Sequence, residues 1–178
     1  MDGSVAAADG LVWHFSEDPT ITLFTPHVAR TARQPEPYVW AVDAAQSPAY
    51  WFPRQCPRGM AWATETTSAA DRDAILGPGA PRVHTIEYDW LPAMQSTRLY
   101  RYAFDAASFR PFGDAAYVSE GAVRPSGPPE PIGDLLALHE SAGIELRLVA
   151  DLAPWWSAVI ASTVAFSGIR LRNARTPL

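Results

Sequence analysis

Leu11-Val12-Trp13-His14-Phe15-Ser16-Glu17 reads as a short buried strand that carries one histidine toward its end. About two dozen residues later, Tyr38-Val39-Trp40-Ala41-Val42-Asp43 reads as a second such strand. Two apolar strands that end in polar or aromatic side chains make a pocket wall. With the acid Glu120 near the far end of the chain, the pair points to a nucleotide pocket.

Outward from these strands, Met60–Thr64, Val83–Trp90, Arg98–Phe104, Ala116–Ser119 and Ile144–Val149 are rich in aromatic and β-branched residues and are expected as strands. Val83–Trp90 alternates cleanly. It is expected to pair with Arg98–Phe104 through the connection Leu91 to Thr97. Asp43 or Ser47 caps a short helix through Ala49-Tyr50-Trp51-Phe52 that stops before Pro53. Ile132, Leu135, Leu136 and His139 share a helical face, with Gly143 as the C-terminal cap. A third helix starts at Asp151, has Pro154 in its first turn, and repeats Leu152, Trp155, Trp156, Val159, Ile160 and Thr163 at helical spacing. Thr66 to Arg82 reads as a mobile surface loop and Arg124 to Pro131 as an extended connection. The expectation is a flexible leader over residues 1–10 and one α+β domain over residues 11–178, with a split, mostly antiparallel sheet and a few helices.

A length of 178 residues suits one domain, and seven Trp, seven Phe and six Tyr supply a core. A net charge of -5 argues against a nucleic-acid partner. All fourteen basic residues are Arg. The N-terminus lacks a basic, apolar signal sequence and no run reaches membrane-spanning length, so the chain is expected in the cytoplasm and off the membrane. Cys56 is the single cysteine, which excludes an internal disulfide.

His14, His27, His84 and His139 are too scattered for a zinc site, so no metal is expected. Cys56 lies between Arg54 and Arg58, which could lower a thiol pKa, although a buried structural cysteine accounts for the same pattern. Gly77-Pro78-Gly79 lacks the Gly-Lys-Ser/Thr of a phosphate loop. His14, Tyr38, Trp40 and Glu120 remain. Cleavage of the nicotinamide–ribose bond of NAD passes through an oxocarbenium-like sugar, which a carboxylate stabilises. A neutral His can hold a ribose hydroxyl while its other nitrogen is fixed by backbone, and an aromatic face can stack on nicotinamide.

These residues support a resemblance. His14 in Trp-His-Phe-Ser, Val39-Trp40-Ala41-Val42-Asp43 followed by Ala49 and Tyr50, and Glu120 before Val123-Arg124-Pro125 resemble the three-part layout of the ADP-ribosyltransferase-like fold. The resemblance implies transfer of ADP-ribose from NAD, or a related 2′-phosphotransfer, to an unknown acceptor. It gives His14 a ribose hydroxyl, Trp40 or Tyr38 the nicotinamide ring, Glu120 the oxocarbenium, and Arg54 or Arg58 the pyrophosphate. Two positions depart from it: Trp40 stands where many active transferases have Tyr or Ser, and Val118 stands where Arg-modifying ones have a second acid or Gln. Over nearly the whole chain, His14-Phe15-Ser16-Glu17-Asp18-Pro19, Phe52-Pro53-Arg54-Gln55-Cys56-Pro57-Arg58 and Phe166-Ser167-Gly168-Ile169-Arg170 resemble a bacterial family of short single-domain proteins without an assigned activity. The rival expectation is a non-catalytic module that binds a nucleotide or a protein.

Overall fold

The computed structural model describes residues 10–28, 35–113 and 116–178. Apart from Gly10, the expected leader lies outside them. The described residues form an α+β fold with mostly antiparallel sheets and four α-helices. They fall into two compact units: the chain up to Trp51 with Arg98–Ile132, and Phe52–Thr97 with Gly133–Leu178.

The first unit holds two three-stranded sheets, with strands numbered along the whole chain. One is β1 (Leu11–Ser16), β5 (Tyr100–Asp105) and β8 (Glu130–Pro131); the other is β2 (Val39–Ala41), β7 (Ala116–Ser119) and β6 (Arg110–Phe112). All these pairings are antiparallel. Period-two alternation decides what each sheet buries. Val12, Tyr102 and Phe104 from the first sheet meet Val39, Ala41 and Tyr117 from the second, with Phe24 from the intervening segment. Truncating a fully buried ring such as Phe104 should cost about 3–5 kcal/mol. Tyr102 also secures the loop after β1. Its hydroxyl donates to the Asp18 carbonyl at 2.6 Å and accepts the Ile21 N–H at 3.2 Å. Ser16 Oγ accepts the Asp18 N–H, and Asp18 in turn accepts both the N–H and the hydroxyl of Thr20. The run Ser-Glu-Asp-Pro-Thr therefore encodes a self-bonded turn.

The second unit holds a four-stranded sheet in the order β10 (Ala165–Ile169), β3 (Arg58–Trp62), β4 (Arg82–Glu87), β9 (Glu145–Val149). Only β4 and β9 are parallel. α3 (Leu135–Ser141) starts at Asp134, which accepts two backbone N–H groups, and is followed by Gly143 at φ +66°. α4 (Leu152–Ile160) starts at Asp151, as expected, and lies on β3. Gly59 and Gly168 face each other across β3 and β10. A Cβ on Gly59 would lie 2.5 Å from the Trp155 ring, and one on Gly168 would lie 2.7 Å from Trp156. The paired glycines make a flat seat for the two indoles.

Three expectations are corrected. Val83–Trp90 does not pair with Arg98–Phe104: β4 lies between β3 and β9, whereas β5 lies between β1 and β8. The strand also stops at Glu87. A 3₁₀ turn, Tyr88–Trp90, leads into α2 (Leu91–Ser96), with Pro92 in its first turn where a missing N–H costs nothing. The stretch read as a loop over Thr66 to Arg82 instead carries α1 (Ala69–Asp71), continuing as a π-helical turn over Arg72–Leu76 that buries Ile75 and Leu76. Distant residues stabilise it: Arg147 donates to the carbonyls of Ile75 and Leu76 at 2.6 Å each, and Asp71 accepts from Thr163. Strand β10, β6 and the short β8 were not expected.

A buried polar chain crosses the second unit. Arg82 Nε–H donates to His84 Nε2 at 2.8 Å, and His84 Nδ1 lies 3.0 Å from His139 Nε2. His139 Nδ1 lies 2.7 Å from the Leu135 carbonyl. A carbonyl only accepts and a guanidinium only donates, so both rings are neutral with the proton on Nδ1.

Candidate functional site

In the first unit, β1 and β2 meet at one point and then part. Trp13 and Val42 exchange both backbone hydrogen bonds, at 2.8 and 2.9 Å. Continuing that antiparallel ladder would place Phe15 opposite Trp40. There the Trp40 carbonyl is instead 2.9 Å from His14 Nδ1. The carbonyl can only accept, so Nδ1 carries the proton and a neutral His14 ring presents Nε2 as an acceptor. His14 also packs edge-on against Phe24, which fixes its plane.

A small cavity of about 70 Å³, partly open to solvent, lies at this divergence. Trp13, His14 and Phe15 from β1, Trp40, Ala41 and Val42 around β2, Tyr50 and Ala116 line it. Tyr50 ends the 3₁₀ turn Ser47–Tyr50. Asp43 sets that turn: its carboxylate accepts the Gln46 N–H, and its carbonyl accepts both the N–H and the hydroxyl of Ser47. The turn brings Tyr50 parallel to Phe15, with an interplanar angle of 9° and ring centroids 6.3 Å apart. The lining is mostly aromatic and aliphatic, with polar groups from the His14 imidazole, the Tyr50 hydroxyl, the Trp13 and Trp40 indoles and the backbone, a mixture found in small-molecule sites. At about 70 Å³ it lies below the usual volume of such sites and cannot enclose a whole dinucleotide.

The residues expected to form the site are divided. His14 and Trp40 come together at the cavity. Tyr38 is 7% exposed, does not line it, and meets Trp40 edge-on at 6.0 Å. Arg110 Nη2 donates to the Tyr38 hydroxyl at 3.1 Å and to Glu120 at 3.0 Å. Glu120 raises the Arg110 pKa through that bond. The Glu120 side chain is 70% exposed and outside the cavity lining, two residues or about 7 Å along the chain from Val118, the β7 partner of Trp40. Tyr38, Arg110 and Glu120 thus form a second cluster, linked to the cavity through Trp40.

Arg54 and Arg58 belong to the second unit. Arg54 is exposed in a turn that the Cys56 N–H closes onto the Pro53 carbonyl. Arg58 is 3% exposed, donates to the Cys56 carbonyl at 3.0 Å and lies over the Phe52 ring. Burial pushes the Cys56 thiol up to about 12, so it is protonated at neutral pH and a poor nucleophile. Among the described residues, no three His, Cys, Asp or Glu side chains gather as a metal-binding group, and no helix is long and apolar enough to cross a membrane.

Sequence reasoning gave Phe15 and Tyr50 no site role and did not pick out Arg110. A signal existed for two of them. Trp13 and Phe15 alternate onto the strand face opposite His14, and Pro48 followed by Tyr50 marks a short turn right after β2. Arg110 carried none, because its strand is three residues long and contains Pro111.

Among known proteins, residues 13–174 match a family of unknown function, DUF6886. No curated protein and no solved structure matches the chain.

Proposed function

The chain belongs to that family, and for this member of it we propose a nucleotide-binding transferase that uses NAD as ADP-ribose donor, or in a related 2′-phosphotransfer, toward an unidentified acceptor in the cytoplasm. The observation that carries the reading is the bond from His14 Nδ1–H to the Trp40 carbonyl at the wall of an aromatic cavity. In the neutral ring that bond makes Nε2 the acceptor, the polarity a ribose hydroxyl needs. Trp40, at the cavity, takes the aromatic role in preference to Tyr38, whose hydroxyl is bound to Arg110. The likeness of His14, Trp40 and Glu120 to the ADP-ribosyltransferase-like layout supports the same assignment.

Glu120 acts in this proposal by stabilising the oxocarbenium-like sugar, which requires exchange of its Arg110 partner for substrate. An exposed ion pair of this kind is weak, so bound nucleotide can displace it. The same ion pair favours a second reading, a module that binds nucleotide without turnover, because Glu120 is engaged outside the cavity lining. The pyrophosphate contact proposed for Arg54 or Arg58 is tested by Arg54→Ala, since the buried Arg58 would report on folding.

Calorimetric NAD titration with assay of nicotinamide release separates the readings. His14→Ala should weaken binding at least about tenfold, the loss of one hydrogen bond to ligand. Glu120→Gln should bind like the wild type and lose release. Binding without release in the wild type would favour the non-catalytic module, and no binding at millimolar NAD would remove both.

A further inference from the structure

The four-stranded sheet of the second unit ends on one side in an open strand. Among the described residues, β10 pairs with β3 along one edge, and no backbone hydrogen bond engages the other. An open edge is a template for a further strand, and sheets blunt it with charges, proline or bulges. The opposite edge of this sheet has such protection, because β9 carries Glu145 and Arg147. β10, Ala165-Phe166-Ser167-Gly168-Ile169, has no charge and no proline, and its register with β3 is regular throughout. Apolar surface adjoins the open edge. Phe166 is 43% exposed and meets Trp156 of α4 edge-on at 5.5 Å, and Ile160, one helical turn beyond Trp156, is 51% exposed.

The order of side chains along β10 makes this edge complementary to itself. When two copies lie antiparallel with Ser167 opposite Ser167, every large side chain meets a small one: Phe166 opposes Gly168 and Ile169 opposes Ala165. The neighbouring registers, two residues along, would oppose Phe166 to Phe166 or Gly168 to Gly168. A two-fold axis through the Ser167 pair, perpendicular to the sheet, keeps the same face up in both copies. Phe166 of one copy then lies against the Trp156 and Leu171 that cover Gly168 in the other. Neighbouring strands are about 4.8 Å apart, so the two β3 strands would lie about 14 Å apart. The two α4 helices, resting on β3, are thus separated by more than the roughly 8–10 Å of packed helices, which leaves room for the rings. Charge also favours this orientation. Arg170 and Arg172 follow β10 at one end. Antiparallel pairing places the two Arg170 residues about 20 Å apart, beyond the screening length of about 8 Å, whereas parallel pairing would set them side by side.

We propose that the outer edge of β10 is an interface between two copies of this chain, joined across a two-fold axis at Ser167 so that the four-stranded sheet of each continues into the other. A joint of one short strand and one apolar patch is smaller than the roughly 800 Å² per partner of a standard interface, so the dimer is reversible, with a Kd on the order of tens of micromolar.

Sedimentation velocity of the full chain from about 1 to 300 µM, which brackets that Kd, reads the assembly. The wild type should pass from the mass of one chain to that of two. Phe166→Lys should raise the Kd at least about thirtyfold, the loss of an aromatic anchor, with its circular dichroism unchanged. Cross-linking reads the register. Directly opposed Cα atoms lie about 4.5–5.5 Å apart, within disulfide range, so Ser167→Cys should form a covalent dimer when oxidised by copper–phenanthroline. Ala165→Cys, whose two copies would lie about 14 Å apart, should not. Cys56 is fully buried and stays protonated, so it does not compete. The cysteine pair decides the outcome even where Phe166→Lys loses its fold. A wild type that keeps the mass of one chain at the highest concentration, a dimer unaffected by Phe166→Lys, or equal cross-linking of the two cysteine variants would overturn the inference.

Discussion

Acid should destabilise this protein well before its carboxylates titrate. His84 and His139 are 0% and 1% exposed, and each ring nitrogen already has an assigned hydrogen-bond role. A further proton on His84 Nε2 would face the Arg82 N–H, and one on His139 Nε2 would face the His84 N–H. Burial, followed by the charges of His139, Arg82 and Arg58, lowers the His84 pKa from 6.5 to about 2; burial also lowers that of His139. The unfolded chain therefore binds protons below about pH 6.5 that the folded chain refuses, and stability falls as pH falls, down to the folded value. The slope is about 1.4 kcal/mol per pH unit for each such group. Between pH 7.5 and 5.0, His84 alone should account for about 2 kcal/mol, and His139 adds to it. That is a large part of an ordinary domain's 5–15 kcal/mol or so. Urea unfolding of wild type and His84→Asn at the two pH values measures it. The variant should be less stable at pH 7.5, having lost the chain of bonds, and its pH dependence should be smaller by about 2 kcal/mol. Equal pH dependence in the two proteins, or imidazole nitrogen shifts placing a proton on Nε2 of either ring, would refute the reasoning.

Replacing Gly59 with Ala drives a methyl group into Trp155 and should cost about 1–3 kcal/mol or more, read as a lower denaturant midpoint. Tyr102→Phe removes the hydroxyl that serves both Asp18 and Ile21; it should cost about 1–3 kcal/mol and speed amide exchange at Ile21. Cys56, buried with its thiol held at about 12, should react with a thiol reagent only at the rate of unfolding, so urea should accelerate labelling steeply.

What was legible in the sequence was local. β1, α3 and α4 could be recognised because their signals lie within them: an apolar strand run, Asp134 or Asp151 at an N-cap, Gly143 beyond a C-terminus. α1 was missed because Arg147 and Thr163, both far along the chain, satisfy its ends. β10 was missed because Gly168 weakens the strand signal, and its reason for being glycine is the Trp156 ring. The wrong pairing of β4 with β5 has the same origin: adjacency in sequence favours it, but strand partners are chosen by which faces can be buried together. At the candidate site, His14 and Trp40 were legible from the ends of two apolar strands. Phe15 and Tyr50 were not, since a ring pair between a strand and a turn has no fixed spacing. Glu120 was legible as an acid after a strand, but its partner Arg110 depended on the unexpected strand β6.

The central proposal is that NAD binds at the cavity between β1 and β2, its nicotinamide ribose held by His14. Calorimetric titration of the full chain with NAD, wild type beside His14→Ala, tests it most directly. The expected result is saturable binding by the wild type, weakened at least about tenfold in the variant. No heat of binding in the wild type at millimolar NAD, or equal affinity in the two proteins, would contradict it.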